Sequence, residues 1–220
     1  MLYLILLVSS ACGVLWMQIL MWISALGKKN ILSPVPHPDA FQKLIENTGI
    51  SLQNISIINS DRPFAQMAGL PGRPFMIISK NLYTTFSKDK LEYVILHETA
   101  HYKYNHTLKE LGVFIFSYLF CSLIFMLVKD SFAWIITIPL LATVIAVSNI
   151  QIARLFERQA DEYAARKMRN PHGMISATKH FMHFYGTNPP ETSRRRKLFY
   201  RGNPYSERIR IAEKEIERRK

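Results

Sequence analysis

Three long stretches of apolar residues constrain what this chain can fold into. They comprise residues 1–26, 111–128 and 132–150, and each has at least 18 residues without a charged side chain. A helix of 18 residues spans about 27 Å, close to the hydrocarbon core of a bilayer, which is about 30 Å thick. We therefore predict a mainly α membrane protein with three transmembrane helices, the last two forming a hairpin across residues 129–131.

Other interpretations of these stretches remain open. Residues 1–26 could be a cleaved signal peptide, although no Lys or Arg precedes the apolar run. Residues 111–150 could be a buried helical pair of a soluble protein, but only three residues separate its two uncharged halves. Pro139 is a candidate position for a kink. Cys12 and Cys121 both lie inside apolar stretches, so no disulfide framework is predicted.

The distribution of basic residues predicts the orientation of the chain in the membrane. Of the 28 Lys and Arg residues, ten lie in 28–110, seventeen in 151–220 and only Lys129 at the hairpin tip. Basic residues collect in cytoplasmic segments, so both soluble parts are predicted to be cytoplasmic. The predicted domains are an N-terminal transmembrane helix (1–27), a first cytoplasmic part (28–110), the transmembrane hairpin (111–150) and a second cytoplasmic part with a basic C-terminus (151–220).

The soluble parts have the periodicities of a small sheet with several helices. Residues 33–38 contain three prolines and predict a stiff linker, and Asp39 can cap a following helix. Strands of an antiparallel sheet are predicted at 55–58, 64–68 and 75–78. Helices are predicted at 81–86, from Ser87 onward, at 151–168, at 175–185 and from about Tyr205.

The helix that begins near Ser87 contains the motif His97-Glu98-Thr99-Ala100-His101. Histidines four residues apart lie about 40° apart around a helix and one turn apart along it, so both imidazoles can reach one cation. Glu98 can then face a water molecule held by that cation. This HExxH arrangement is typical of zinc hydrolases, and a pair of helix histidines without a metal is the alternative.

The hairpin predicts where a third ligand lies, because residues equidistant from its tip are neighbours in an antiparallel pair. His101 lies about 28 residues before the tip, and Glu157 lies as far after it. The same reasoning pairs His97 with Asp161. Glu157 is therefore predicted to complete a site of two histidines and one carboxylate, and Asp161 to accept the spare imidazole N–H of a ligand. Straight helices place this site about 42 Å from the tip, just past the cytoplasmic membrane surface.

The two motifs resemble those of a known group of enzymes. Residues 97–101, followed after a hairpin by 156–164, are similar to motifs of the HtpX-like and CAAX prenyl endopeptidase superfamily of integral-membrane zinc metalloproteases. Residues 102–106 resemble the family's continuation of the first motif, and the resemblance covers about 30–215. It implies a cytoplasmic gluzincin-type protease domain that carries the small β-sheet. It also implies one zinc ion per chain bound by His97, His101 and Glu157, with Glu98 as catalytic base and Asp161 as partner of a ligand histidine.

The chain departs from the family in places that bear on catalysis. Asn203 stands before Pro204 where members often have a histidine, and Arg208 follows. The resemblance makes Arg208 the preferred group to hold the oxyanion; the other candidates are Tyr200, His183 and His180. The chain has one N-terminal apolar stretch where HtpX-like members usually have two. It is also much shorter than the CAAX-processing enzymes, which makes CAAX processing an unexpected activity.

The predicted function is zinc-dependent endopeptidase activity in membrane-protein quality control. A bound zinc ion polarises the scissile carbonyl and activates water, while Glu98 accepts and later returns the proton. Residues 64–68 could bind an extended peptide by adding it to the edge of the sheet. The predicted partners are polypeptides, from membrane or misfolded proteins, and the lipid bilayer. The predicted location is a cell membrane, crossed several times, with the catalytic site on the cytoplasmic side.

Three competing functions remain open at this point. A signal transducer with a similar membrane zinc site would need an extracellular sensor domain. A non-catalytic protein with structural zinc would need a fourth protein ligand, for which His106 is the candidate although a continuous helix turns it away from His101. The basic run 194–197 could bind nucleic acid, but contact with anionic lipid is favoured, and no nucleic-acid partner is predicted.

Overall fold

The computed structural model describes residues 32–34, 48, 55–70, 73–186, 200 and 202–220. The first apolar stretch, the helix predicted after Asp39 and the basic run 194–197 lie outside these residues. Within them the chain is mainly helical with a small sheet, as predicted. The strands are β1 (Leu32–Pro34), β2 (Ile55–Ile58), β3 (Ala65–Leu70) and β4 (Arg73–Ser79). The helices are α1 (Lys80–Thr85), α2 (Lys88–Lys103), α3 (His106–Val128), α4 (Trp134–Lys167), α5 (His172–Tyr185) and α6 (Tyr205–Arg218).

The chain divides into two compact units. One, here called the apolar unit, contains Leu108–Asn149. The other, here called the mixed unit, contains Leu32–Thr107 and Ile150–Lys220, and it holds the sheet and the HExxH motif. The predicted domain bounds remain a prediction.

The apolar unit comprises most of α3 and the first part of α4. Both helices are long and apolar enough to cross a membrane, and none of the residues in the most apolar 18-residue window of either helix is buried. The connection is longer than predicted, because α3 ends at Val128, where Ser131 donates its backbone N–H to the Val128 carbonyl, and α4 begins at Trp134. Pro139 lies inside α4, which continues through it to Lys167.

The sheet of the mixed unit has the strand order β1-β2-β4-β3. The pairs β1–β2 and β3–β4 are antiparallel, whereas β2 and β4 are parallel. The prediction of an antiparallel sheet is therefore wrong for β2–β4. The chain reverses twice between these strands, once into β3 and once out of it, and β2 pairs with the side of β4 that β3 does not cover.

Part of the predicted linker is a strand. Ser33 and Pro34 belong to β1 and pair with Ile57 and Ser56 of β2. A proline is compatible with this position because β1 is an edge strand of the described sheet, where a missing N–H removes no internal ladder bond.

The core of the mixed unit lies between the sheet and helices α1, α2, α4 and α5. Ser79 helps to start α1, since its Oγ accepts the N–H of Leu82 at 3.2 Å. Helix α5 packs closely on α2: a Cβ at Gly173 would lie 2.6 Å from the carbonyl oxygen of Asp89. The largest fully buried apolar side chains are Tyr93, Met76, Ile78, Leu82, Ile95, Met168 and Met174.

The helix predicted to run without interruption from Ser87 is broken between Lys103 and His106. Helix α2 ends at Lys103 and α3 begins at His106. Between them, Asn105 has a φ of 54°, in the left-handed region that asparagine enters more readily than most residues. Its N–H donates to the Tyr102 carbonyl at 3.0 Å, which closes the turn.

Candidate metal centre

The three candidate ligands come from α2 and α4 and lie close together. His97 and His101 are one turn apart on α2, and Glu157 lies on α4. One ligand atom of each lies within 4.8 Å of the other two. The Nε2 atoms of the histidines are 3.2 Å apart, and each is 3.5 Å from a carboxylate oxygen of Glu157. Two imidazole nitrogens and one carboxylate form the donor set of a zinc site with an open position, so these residues fit the predicted ion.

Asp161 lies behind His97, as the hairpin reasoning predicted, and it is fully buried. Its Oδ1 accepts the His97 Nδ1–H at 2.9 Å and the Tyr93 hydroxyl at 2.7 Å. Its Oδ2 accepts the side-chain N–H of Asn203 at 2.7 Å. One carboxylate thus holds a candidate ligand from α2 and ties it to Asn203, two residues before the start of α6.

Two of these partners were not identified from the sequence. Tyr93 precedes His97 by one helical turn, so the shared helix face was a usable signal. Asn203 departs from the pattern of the resembled family, and its side chain donates to Asp161 at 2.7 Å.

The carboxylates of the site favour positive charge on His97 but not on His101. Burial opposes protonation of His97, but Asp161 and Glu157 outweigh it and raise the pKa of His97 to about 10. Burial would raise the pKa of Glu157, but the two histidines and Arg208 lower it to about 2. Burial and the neighbouring His97 lower the pKa of His101 to about 3, so this imidazole is neutral at neutral pH. A divalent cation in place of the proton on His97 Nε2 would lie beside the Glu157 carboxylate, while Asp161 would keep the His97 Nδ1–H.

Glu98 lies beside the ligands and contacts the edge strand of the sheet. Its Oε2 accepts the backbone N–H of Met67 in β3 at 3.0 Å. Burial raises the pKa of Glu98 to about 7, against the opposing effects of His97 and the Met67 N–H. A carboxylate with a pKa close to neutral is suited to exchange protons with water.

Arg208 lies near the start of α6, with its guanidinium directed at the carboxylates of the site. Its Nη2 is 3.2 Å from Glu157 Oε2, and its Nε is 3.3 Å from Asp161 Oδ2. Among the other candidates for oxyanion binding, His180 packs its ring edge-on against Phe86 at 4.8 Å. In the described part of the chain, neither His180 nor His183 contacts the three candidate ligands.

His106 lies close to the site, but on the far side of His101. Its Nδ1 is 3.0 Å from the Nδ1 of His101, whereas the candidate ligand atom of His101 is Nε2. The group of residues that could hold a metal contains His97, His101 and Glu157 but not His106. A role for His106 as the fourth ligand therefore has no support from this geometry.

Comparisons with known proteins bear on this arrangement. The model of peptidase family M48 matches residues 38–202. None of the curated proteins compared with the sequence is significantly similar to it. Among solved structures, the crystal structure of S. mikatae Ste24p is similar at a TM-score of 0.61 and 18% identity, with 90% of this chain and 57% of that chain covered. At this identity the likeness shows the fold alone, and the present chain spans little more than half of that protein.

Proposed function

This chain belongs to peptidase family M48, and we propose that it is a zinc-dependent endopeptidase embedded in a membrane. Membership confirms the predicted resemblance to the HtpX-like and CAAX prenyl endopeptidases. The observation that carries the proposal is the convergence of His97, His101 and Glu157, with one ligand atom of each within 4.8 Å of the others. Glu98 beside them adds the group that a hydrolase needs and a purely structural site does not.

The proposed chemistry divides between the ion and the residues around it. Zinc, when bound, supplies a Lewis acid that lowers the pKa of water and polarises a carbonyl. His97, His101 and Glu157 would hold it, and Asp161 fixes the direction of the His97 ring. Glu98 acts as general base: it takes a proton from the attacking water and returns it to the leaving amine.

Arg208 has two proposed roles. Its contact with Glu157 at 3.2 Å holds the ligand carboxylate in place. It also remains the proposed donor to the oxyanion of the transition state, since its positive charge lies beside the site. The contact with Glu157 supports the first role, and the family resemblance supports the second.

The proposed substrates are polypeptides bound along β3. This strand lies at an edge of the described sheet. Just before it, the Phe64 carbonyl accepts the Ser79 N–H, so the even-numbered residues of β3 are the ones that bond to β4. In an antiparallel ladder the N–H and C=O groups of Ala65, Met67 and Gly69 then point away from β4, and of these the Met67 N–H already donates to Glu98 Oε2. An extended peptide could pair with that edge next to Glu98. Membrane or misfolded proteins, in quality control, are the proposed source of such peptides.

The proposed location is a membrane, with the site on its cytoplasmic side. Helices α3 and α4 are candidate spans by length and composition. Residues 1–26 supply the third span in the sequence-based proposal, and the excess of Lys and Arg in 28–110 and 151–220 supports the cytoplasmic side for both soluble parts. The proposed domains are the N-terminal transmembrane helix (1–27), the first cytoplasmic part (28–110), the transmembrane hairpin (111–150) and the second cytoplasmic part (151–220).

The test uses full-length protein purified in detergent, with zinc measured by metal analysis and activity by casein cleavage. We expect Glu98→Gln to keep its zinc and lose cleavage, and Glu157→Ala to lose both. Glu162→Gln is the matched control, since it removes a half-buried carboxylate of α4 that pairs with Arg158 and Arg166; this variant should keep both its zinc and its cleavage. Cleavage by Glu98→Gln would remove the base from the mechanism. Undiminished zinc content in Glu157→Ala would favour a different, structural site.

A further inference from the structure

Two side chains, His106 and Gln159, lie on the side of His101 opposite its candidate ligand atom, Nε2. His106, at the start of α3, is 1% exposed, and its Nδ1 is 3.0 Å from the Nδ1 of His101. Its Nε2 is 3.1 Å from the Oε1 of Gln159 on α4. Its ring stacks on Phe156 with centroids 4.4 Å apart and 9° between the planes. We call these three residues the Gln159–His106–His101 chain.

The break between α2 and α3 makes this contact possible. On a continuous helix, five residues correspond to a rotation of about 140°, which would place His101 and His106 on nearly opposite faces. The left-handed conformation of Asn105, with its φ of 54°, replaces that rotation by a turn and lets the two rings meet.

Hydrogen-bond chemistry determines which atoms donate and which accept along the Gln159–His106–His101 chain. The Oε1 of Gln159 only accepts, so the proton of a neutral His106 lies on Nε2. Its Nδ1 then carries a lone pair and also only accepts, so the proton between the two Nδ1 atoms belongs to His101. The Nε2 of His101 is left with a lone pair, at the atom 3.2 Å from His97 Nε2 and 3.5 Å from Glu157 Oε1.

The reverse direction conflicts with a metal site. If the amide of Gln159 were turned to donate to His106, each bond in the chain would reverse. His101 would then accept at Nδ1 and carry its proton on Nε2, where it could not bind an ion.

We infer that Gln159 and His106 are positioning residues that fix the tautomer of His101 with its Nε2 free for zinc. The inference rests on the proposed function, since it concerns a ligand of the proposed ion. Each candidate ligand histidine then has its own acceptor for the Nδ1–H: Asp161 for His97, at 2.9 Å, and His106 for His101, at 3.0 Å. Such acceptors raise the affinity of a site because they hold the ring in the tautomer and direction that the ion needs.

The test measures zinc affinity of full-length protein in detergent by competition with a chelator. Gln159→Met should weaken zinc binding about 10-fold, the lower end for such partners, because Gln159 is exposed and water can replace its oxygen in part. His106→Phe keeps the stack on Phe156 and should weaken binding by up to about 100-fold. Arg158→Met, on the same exposed turn of α4, is the control and should bind as the wild type does.

The double variant separates this role from a merely structural one. Gln159 acts through His106, so adding Gln159→Met to His106→Phe should weaken zinc binding no further. In zinc-free protein with 15N-labelled histidine, the wild type should show His101 protonated at Nδ1 only, and Gln159→Met should show a mixture of both tautomers. Additive losses in the double variant, or a Gln159→Met affinity equal to that of the control, would overturn the inference.

The outcomes also separate this inference from the proposed function. A wild type that binds zinc but cleaves nothing removes the proposed activity and leaves the affinity comparison valid. A wild type that cleaves casein, with Gln159→Met unchanged in zinc affinity, removes the inference alone. If the wild type binds no zinc, the nitrogen spectrum of His101 still decides whether Gln159 and His106 set its tautomer.

Discussion

The hydroxyl of Tyr93 offers a single-atom test of the network around Asp161. Tyr93 is 2% exposed, and its hydroxyl donates to Asp161 Oδ1 at 2.7 Å. Burial raises the pKa of Tyr93, so the phenol keeps its proton and remains a donor. Tyr93→Phe removes this bond, leaves the ring in place and keeps the bonds of Asp161 to His97 and Asn203.

A hydrogen bond to a charged acceptor contributes about 1.5–3 kcal/mol to stability. Asp161 keeps its other donors in the variant, so we expect a loss near the middle of this range, about 2 kcal/mol. For a chain of this size that loss lowers the midpoint of thermal unfolding by about 4–8 °C.

The assay is thermal unfolding of the zinc-free, full-length protein in detergent, followed by circular dichroism. Using the zinc-free form separates the effect of the hydroxyl from any change in metal affinity. Tyr104→Phe is the matched control, because Tyr104 is 37% exposed and the change should alter stability by less than about 0.5 kcal/mol. If Tyr93→Phe shifts the midpoint no more than Tyr104→Phe does, the bond to Asp161 does not stabilise the fold and our account of this network is wrong.

Three further substitutions probe the packing of the mixed unit by the same thermal assay. Gly173→Ala should cost about 1–3 kcal/mol, because its Cβ would meet backbone atoms at 2.6 Å, whereas Gly112→Ala, with nothing within 4 Å, should cost nothing. Arg219→Met should cost up to about 2 kcal/mol, since this guanidinium donates to four carbonyls at or just after the end of α4; an unchanged midpoint would refute that cap. Burial raises the pKa of Glu92 above 4.5, so the folded state holds this proton more tightly than the unfolded state does. The free energy of unfolding therefore falls as pH rises from 4.5 to the raised pKa. Glu92→Gln should flatten that fall, and an equal slope in both proteins would contradict it.

The sequence was sufficient to predict which residues come together at the candidate site. An antiparallel helical pair has one unknown, its register, and the position of the turn sets that register. The position of the turn therefore pairs His101 with Glu157 and His97 with Asp161, and these pairs lie 3.5 Å and 2.9 Å apart. The break at Asn105 leaves this pairing of residues nearly unchanged, because it inserts only two residues between α2 and α3.

The supporting residues could not be predicted in the same way. A buried carboxylate accepts from whichever donors the tertiary structure brings to it, and Asn203 reaches Asp161 from a segment 42 positions away. The contact of His106 with His101 depends on one backbone angle at Asn105, which helix periodicity does not reveal. The parallel pairing of β2 with β4 was missed for a similar reason, since strand partners depend on the path of the whole chain.

The turn at Tyr104 and Asn105, between α2 and α3, also limits where related sequences can gain or lose residues. One residue more or one fewer there would turn the His106 ring by about 100° and part it from His101. The connection at residues 129–133 lies in the apolar unit, and none of the candidate ligands belongs to it. Insertions and deletions among relatives should therefore occur in that connection and not at Tyr104 and Asn105. Relatives that have a gap between positions 103 and 106 should also lack the histidine at position 106.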